Sequence, residues 1–322
     1  GKPGFRYLIA KVDTTPLPTI AVGKIYVDFS EQLDCPVGAG LLRMLYGLAN
    51  QPLSPEAVRL AAEYDEAVAA GTASIAAARM AGNVDGLKQL AARSDLAWGT
   101  TPELKCEAAE ALIALDDLNA ALAIVEPLMQ EFPKAIRPKQ LTGLVYARKK
   151  DTLRAQQILG ELHAAGQIDP ETLGIYARTW FDRYKATGNK LLLLKSRDLY
   201  RQAFEAAPKD YYAGINAASK SVLLGERETA AQLAKRVEAI VGTAPVPDDY
   251  WQSATVAEVQ LLQGNYVAAG ALYAQAVAAA PFEVGSHRST RDQAAALLDA
   301  ANATPEERQA VLGAFAFVPE RA

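Results

Sequence analysis

Two cysteines and two histidines in 322 residues leave little material for several kinds of chemistry. Cys35 and Cys106 cannot build a disulfide framework, which points to a reducing compartment and to the cytoplasm. Neither cysteine has a Cys or His neighbour at metal-ligand spacing, and His163 and His287 lie far apart on separate expected helices. That argues against a metal site and against a Cys–His nucleophile; the histidines read as surface or hairpin-packing residues, and no cofactor is expected. Positive charge is also short: 33 Lys and Arg against 37 Asp and Glu leave a net charge of −4. A basic footprint for nucleic acid is missing, as is a polybasic membrane patch. Long apolar runs are absent too. The most apolar stretch, residues 266–282, is alanine-rich, contains Gln275 and is too short to span a bilayer. No signal peptide opens the chain. What remains, 50% hydrophobic and 22% charged, is ordinary for a folded protein.

The first 53 residues differ from the rest. Phe5 to Val12 reads as a buried strand, Asp13 to Pro18 breaks it, and Gly23 to Phe29 reads as a second strand. Leu41 to Leu48 reads as a short helix with apolar residues on most sides. Two strands and one helix do not make an independent sheet domain. They look like the last βα segments of a parallel α/β domain. Because residue 1 is Gly and a strand follows almost at once, the chain is expected to be a piece of a longer protein.

From Ser54 the signal is helical almost without interruption. Ser54-Pro55 is a good helix start, with Ser as cap and Pro in the first turn. Ala and Leu recur at helical spacing, punctuated by turn signals at Gly71, Gly82-Asn83, Asp116-Asp117, Lys150-Asp151, Gly188-Asn189, Gly225-Glu226 and Gly264-Asn265. The spacing predicts short helices joined in series.

The helices repeat as pairs. When Tyr211-Tyr212 is aligned with Tyr250-Trp251, Ala218 falls on Ala257, Leu223 on Leu262, Gly225 on Gly264 and Ala230 on Ala269. Small residues at crossing points and Gly in the turn suit two tightly packed antiparallel helices. The unit ending at Pro281 carries Ala257, Ala269, Tyr273 and Ala276, the one ending at Pro133 carries Ala109, Leu112, Ala121 and Leu128, and Tyr200 and Ala203 precede Pro208 at the offsets of Tyr273 and Ala276. This spacing resembles tetratricopeptide (TPR) repeats. Two departures are expected: an insertion between helices at residues 190–195, and an extra linker at residues 241–247.

Residues 171–184, 211–217 and 249–255 resemble the TRAFs-binding domain, a helical domain of stress-activated kinases and bacterial signalling proteins. Residues 5–13, Leu17-Pro18, 24–30 and 40–47 resemble the last strands and helix of a bacterial TIR domain. No position matches that family's catalytic glutamate, so the resemblance implies no catalytic residue here.

Other motifs read as structural. Gly38 and Gly40 precede a helix, but the third glycine of a phosphate fingerprint is replaced by Arg43, so a helix-entry turn is expected. Asp116-Asp117 and Asp248-Asp249 sit at helix boundaries and read as caps. Arg148-Lys149-Lys150 closes a helix, where cations suit the dipole, with an acidic partner or nucleic acid as the alternative use of the run.

The aromatic pairs are more informative. In TPR arrays the first helix of each pair lines the concave face. That resemblance assigns Tyr212, Ile215, Asn216 and Ser219 in one unit, and Trp251, Thr255 and Glu258 in the next, to a partner-binding groove. Tyr211 and Tyr250 are expected in the core. The carboxylate clamp of chaperone-binding TPR proteins is disfavoured, since the face carrying Trp251 and Thr255 offers no Lys or Arg.

The fold class is thus mainly α: a TPR-like α-solenoid of antiparallel helix pairs with a small N-terminal α/β segment. Residues 1–53 form that segment, 54–100 connecting helices and 101–322 the repeat domain. Such an array is expected to leave long open surfaces and no enclosed pocket. The function expected is a non-catalytic scaffold or sensor of a TIR-linked signalling or immune protein. It would bind a protein or peptide, or a second copy, and neither nucleic acid nor membrane. Alternatives are the regulatory half of an NAD-cleaving TIR enzyme and a free-standing peptide-binding adaptor.

Overall fold

The computed structural model describes residues 9–11, 26–29, 38–247 and 249–318. The outer parts of both expected strands (residues 5–8, 12 and 23–25), Cys35 and Asp248 lie outside the described residues. Strands β1 (Ile9–Lys11) and β2 (Tyr26–Asp28) pair in parallel, with Ile9 opposite Tyr26 and Lys11 opposite Asp28. Helix α1 (Gly38–Leu48) lies against β2 and the buried Phe29. Gly40 makes this approach possible: a Cβ there would stand 3.0 Å from the Phe29 ring and 3.2 Å from Val27.

Helix α2 (Pro55–Met80) begins as its sequence dictates, with the Ser54 side chain accepting from the Ala57 amide. It continues through Gly71 for 26 residues, so Gly71 is not the turn its sequence suggests. A Cβ at Gly71 would lie 2.7 Å from Leu104 Cδ1, so the glycine is a close-packing position within the helix. Two short helices follow, α3 (Val84–Ala91) and α4 (Leu96–Gly99).

Six antiparallel pairs then run to the end: α5 (Glu103–Ala114) with α6 (Leu118–Glu131), α7 (Arg137–Arg148) with α8 (Thr152–Ala164), α9 (Pro170–Thr187) with α10 (Lys190–Ala206), α11 (Tyr211–Leu223) with α12 (Arg227–Val241), α13 (Tyr250–Leu262) with α14 (Tyr266–Ala279), and α15 (Val284–Ala301) with α16 (Pro305–Leu312). Asp117, Asp151, Asp169, Asp210 and Asp249 cap five of these helices, each accepting from an amide of the first turn. Residues 190–195 are not an inserted loop. Asn189 caps α10 directly before them, and they form its first turns, with Leu193 in the core. The residues from Gly242 to Pro247 are non-helical, so the second departure is a true linker.

The first helices of the pairs stand inside and their partners outside. Around the inside α5 touches α7, α7 touches α9, α9 touches α11, α11 touches α13 and α13 touches α15, which returns to α5. The solenoid therefore closes on itself. Its three largest apolar clusters run from Ile75 to Val145, from Leu173 to Val259 and from Tyr250 to Val318, with two small ones, from Tyr146 to Ala155 and from Leu159 to Ile175, between the first two. The closing seam is held largely by other means: Arg79 Nε donates to Glu283 Oε1 at 2.7 Å, Arg288 pairs with Asp116, and the Phe282 ring covers Gly82. Gly285 lies so near α5 that a Cβ would meet the Ile113 carbonyl oxygen at 2.4 Å. Among the described residues no helix is long and apolar enough to cross a membrane.

Candidate functional site

Closure of the ring corrects the expectation of an open surface without a pocket. The inner helices line a partly open cavity of about 300 Å³. Nearly all of its wall comes from α5, α7, α9, α11, α13 and α15, with Arg79, Tyr200 and the turn residue Lys150 reaching in from outside that set.

Six of the seven residues assigned to a groove from sequence line this cavity: Tyr212, Ile215, Asn216, Trp251, Thr255 and Glu258. The seventh, Ser219, is buried behind the wall and donates its hydroxyl to Glu258. The alignment of α11 with α13 brought these positions to one face because helical periodicity repeats along both. Tyr250 is in the core, its hydroxyl donating to Thr290 Oγ1 at 2.9 Å. Tyr211 is a correction. It is half-buried and lines the cavity; burial and then Asp249 and Asp210 push its phenol up to about 12.

Sequence reading missed the cations. Arg148 does not merely complement a helix end: it is buried and donates from Nη1 to the Ile113 carbonyl at 3.1 Å. Lys150, Arg178 and Lys185 line one side of the cavity around the well-buried carboxylate of Asp182 and near that of Asp292, and Glu110, Glu171 and Glu258 line the wall as well. Lys185 Nζ lies 2.7 Å from Asp182 Oδ1, and Arg178 Nε lies 3.8 Å from Oδ2. Arg178 also donates to Ser289 on α15 at 3.1 Å. Burial, then repulsion from Lys185, lowers the Lys150 ammonium below its usual range, although the residue as a whole is exposed.

A local backbone signal marks two of the inward-turned groups. The turns inside all six pairs each place one residue in the left-handed region, at φ 71° for Asp116, 68° for Lys150, 68° for Gly188, 83° for Gly225, 82° for Gly264 and 53° for Asn302. Glycine takes this conformation freely, whereas a side chain there costs about 1 kcal/mol. Asp116, Lys150 and Asn302 accept that strain; Asn302 is exposed, whereas Asp116 holds Arg288 and Lys150 lines the cavity.

Deeper in the cavity Lys220 is 2% exposed. Its Nζ donates to Asn216 Oδ1 at 3.0 Å and Gln293 Oε1 at 2.5 Å, and sits 4.3 Å from the centre of the Phe181 ring. Gln293 Nε2 donates in turn to Glu258 Oε1 at 2.7 Å. Burial lowers Lys220 to about 7 against the pull of Glu258, and burial raises the Glu258 carboxyl. The spacing Asn216–Lys220 was visible as an i, i+4 pair on the assigned face, but nothing local showed that α15 would cover it. Among the described residues no three His, Cys, Asp or Glu side chains gather as a metal ion would need.

Residues 117–224 match the family TPR-S, Tetratricopeptide Repeats-Sensor, which is less than half of the chain. Two solved structures are similar. A thermophilic TPR protein of Thermus thermophilus is 20% identical, covering 62% of this chain and 99% of its own, with a TM-score of 0.48. A tetratricopeptide repeat protein of Parabacteroides merdae is 12% identical, covering 78% of this chain and 98% of its own, with a TM-score of 0.42. No curated protein matches.

Proposed function

We infer that this chain is a non-catalytic sensor and interaction module whose ligand site is the cavity inside the ring. One observation carries the reading: a ring of inner helices surrounds a pocket walled on one side by Lys150, Arg178 and Lys185 and on another by Tyr211, Tyr212 and Trp251. Three cations grouped on one stretch of a wall that also carries carboxylates favour an anionic group there, and aromatic faces favour a planar apolar part. A small ring-bearing anion satisfies both. The match to a TPR sensor family agrees with this class of role.

The finer reading is a cytoplasmic protein in which residues 1–53 end an α/β domain of TIR type, 54–100 connect, and 101–322 sense. The parallel pairing of β1 and β2 supports it, because parallel strands belong to α/β sheets covered by helices. In this reading a protein partner, or a second copy, receives the signal through the outer helices, and any NAD-cleaving chemistry belongs to residues beyond this chain.

The test is titration with 8-anilinonaphthalene sulfonate, an anionic aromatic dye, followed by fluorescence. One saturable site is expected, weakened at least tenfold by Lys185→Glu and by Trp251→Ala. Unsaturable binding, or equal binding by both variants, overturns the cavity as the ligand site.

A further inference from the structure

We propose that Lys220 is a carbonyl-capturing amine at the floor of the cavity, and that the molecules it takes are small anionic aldehydes or 2-oxo acids. The inference rests on the cavity being a ligand site and adds covalent, reversible capture to it.

Three features of the geometry carry it. First, the amine is desolvated but not paired in the ordinary way: among the described residues no carboxylate oxygen lies within salt-bridge distance of Nζ, and its hydrogen-bond partners are the neutral amide oxygens of Asn216 and Gln293. A neutral amine donates two N–H bonds to those oxygens and keeps its lone pair as the remaining tetrahedral position. Second, a buried carboxyl group stands one side chain away. Glu258 is linked to Lys220 through Gln293, is also held by Ser219, and is buried to 7% exposure. Third, Arg178 and Lys185 line the same cavity, placed to hold the charge of an anionic substituent. Burial favours the uncharged amine, the form that attacks carbonyls.

The step balances without a redox partner. The Lys220 nitrogen forms a bond to the carbonyl carbon, and one amine proton passes to the carbonyl oxygen to give the carbinolamine. The carbon–oxygen bond then breaks, and the oxygen leaves as water with the second amine proton, relayed by the Glu258 carboxyl. The product is an imine, and addition of water reverses it. Capture of this kind gives a sensor a bound state that lasts longer than simple ion pairing, with no turnover.

The test uses the whole chain with glyoxylate and sodium cyanoborohydride at pH 7. Hydride from the cyanoborohydride reduces any imine to a stable carboxymethyl-lysine, and peptide mapping reads the rate at each lysine. Lys220 is expected to label at least tenfold faster than the exposed Lys134 and Lys209, with its rate rising through an inflection near pH 7. Labelling of Lys220 no faster than those surface lysines overturns the proposal. A parallel reaction of iodoacetate with the thiol introduced by Thr255→Cys reports entry to the cavity. If that thiol reacts and Lys220 does not, the amine inference falls while the cavity reading stands. If neither reacts, the pocket is closed to small anions and both fall.

Discussion

Asp116, at the tip of the first hairpin, forms an ion pair with Arg288, on the inner helix of the sixth, 172 residues further along the chain. Both side chains are mostly buried, and the pair ties the two ends of the solenoid into a ring. Removing one partner of a buried pair costs about 3 kcal/mol. Asp116→Asn isolates the charge, because Asn tolerates the left-handed backbone that this turn requires. The expected result is a lower urea midpoint and a larger radius of gyration by X-ray scattering. An unchanged radius would show that the seam holds without this pair.

Gly285 gives a steric test of the same seam. A Cβ there would fall 2.4 Å from the Ile113 carbonyl oxygen and 2.9 Å from that of Ala114, both backbone atoms. Gly285→Ala is expected to destabilise by about 1–3 kcal/mol, the usual range for overpacking. Amide exchange should rise in α5 and α15 while α9 and α10 keep their protection. Uniform loss of protection would instead show that the ring unfolds as one unit.

Lys150 sets stability against binding. Lys150→Gly relieves a left-handed backbone at φ 68° and is expected to raise stability by about 1 kcal/mol. It also removes a cation from the cavity wall, so affinity for the anionic dye should fall. A variant that is both more stable and a weaker binder is the expected outcome of thermal unfolding and dye titration. Unchanged dye affinity would remove Lys150 from the site.

The Lys220–Glu258 pair predicts a pH profile. Glu258 is raised in the fold, so the folded state binds more protons than the unfolded one just above the ordinary carboxyl range. Stability therefore falls as pH rises through the window between the unfolded and folded values. Lys220 is lowered to about 7, so the unfolded chain binds more protons between there and the ordinary lysine range. Stability should therefore rise with pH above about 7, while below it both states are protonated and the penalty is constant. Lys185, Arg178 and Asp182 act on Lys220 in addition to Glu258. The double variant Lys220→Met, Glu258→Gln should lose both slopes in urea titrations from pH 5 to 10. A persistent rise above pH 7 would assign it to other groups.

Local features were the ones legible in the sequence. Asp117 and Asp249 cap helices as read, because short acidic side chains reach first-turn amides whatever the rest of the chain does, whereas Asp116, read with Asp117 as a cap, turns instead to Arg288. Tyr212, Asn216, Trp251 and Glu258 reached one surface because two similar helices share a period. Ring closure left no such trace. It depends on the accumulated rotation of five hairpins and is fixed by pairs such as Arg79 with Glu283, 204 residues apart. The cavity followed from that closure, and so did the inward position of Lys220. Gly71 and residues 190–195 were misread for a smaller reason: glycine in a helix looks like a turn, and a lengthened helix looks like an inserted loop, until the packing partners are known.

An open solenoid can gain or lose a hairpin at its end with modest effect, since each unit touches only its neighbours. A closed one has no spare end. Here the sixth inner helix meets the first through a glycine with no room for a methyl group. A duplicated or deleted hairpin would leave Asp116 and Arg288 facing the wrong neighbours. The number of units is therefore fixed by geometry, as the number of staves is in a cask, and any variation in what the chamber admits must come from the residues of its wall.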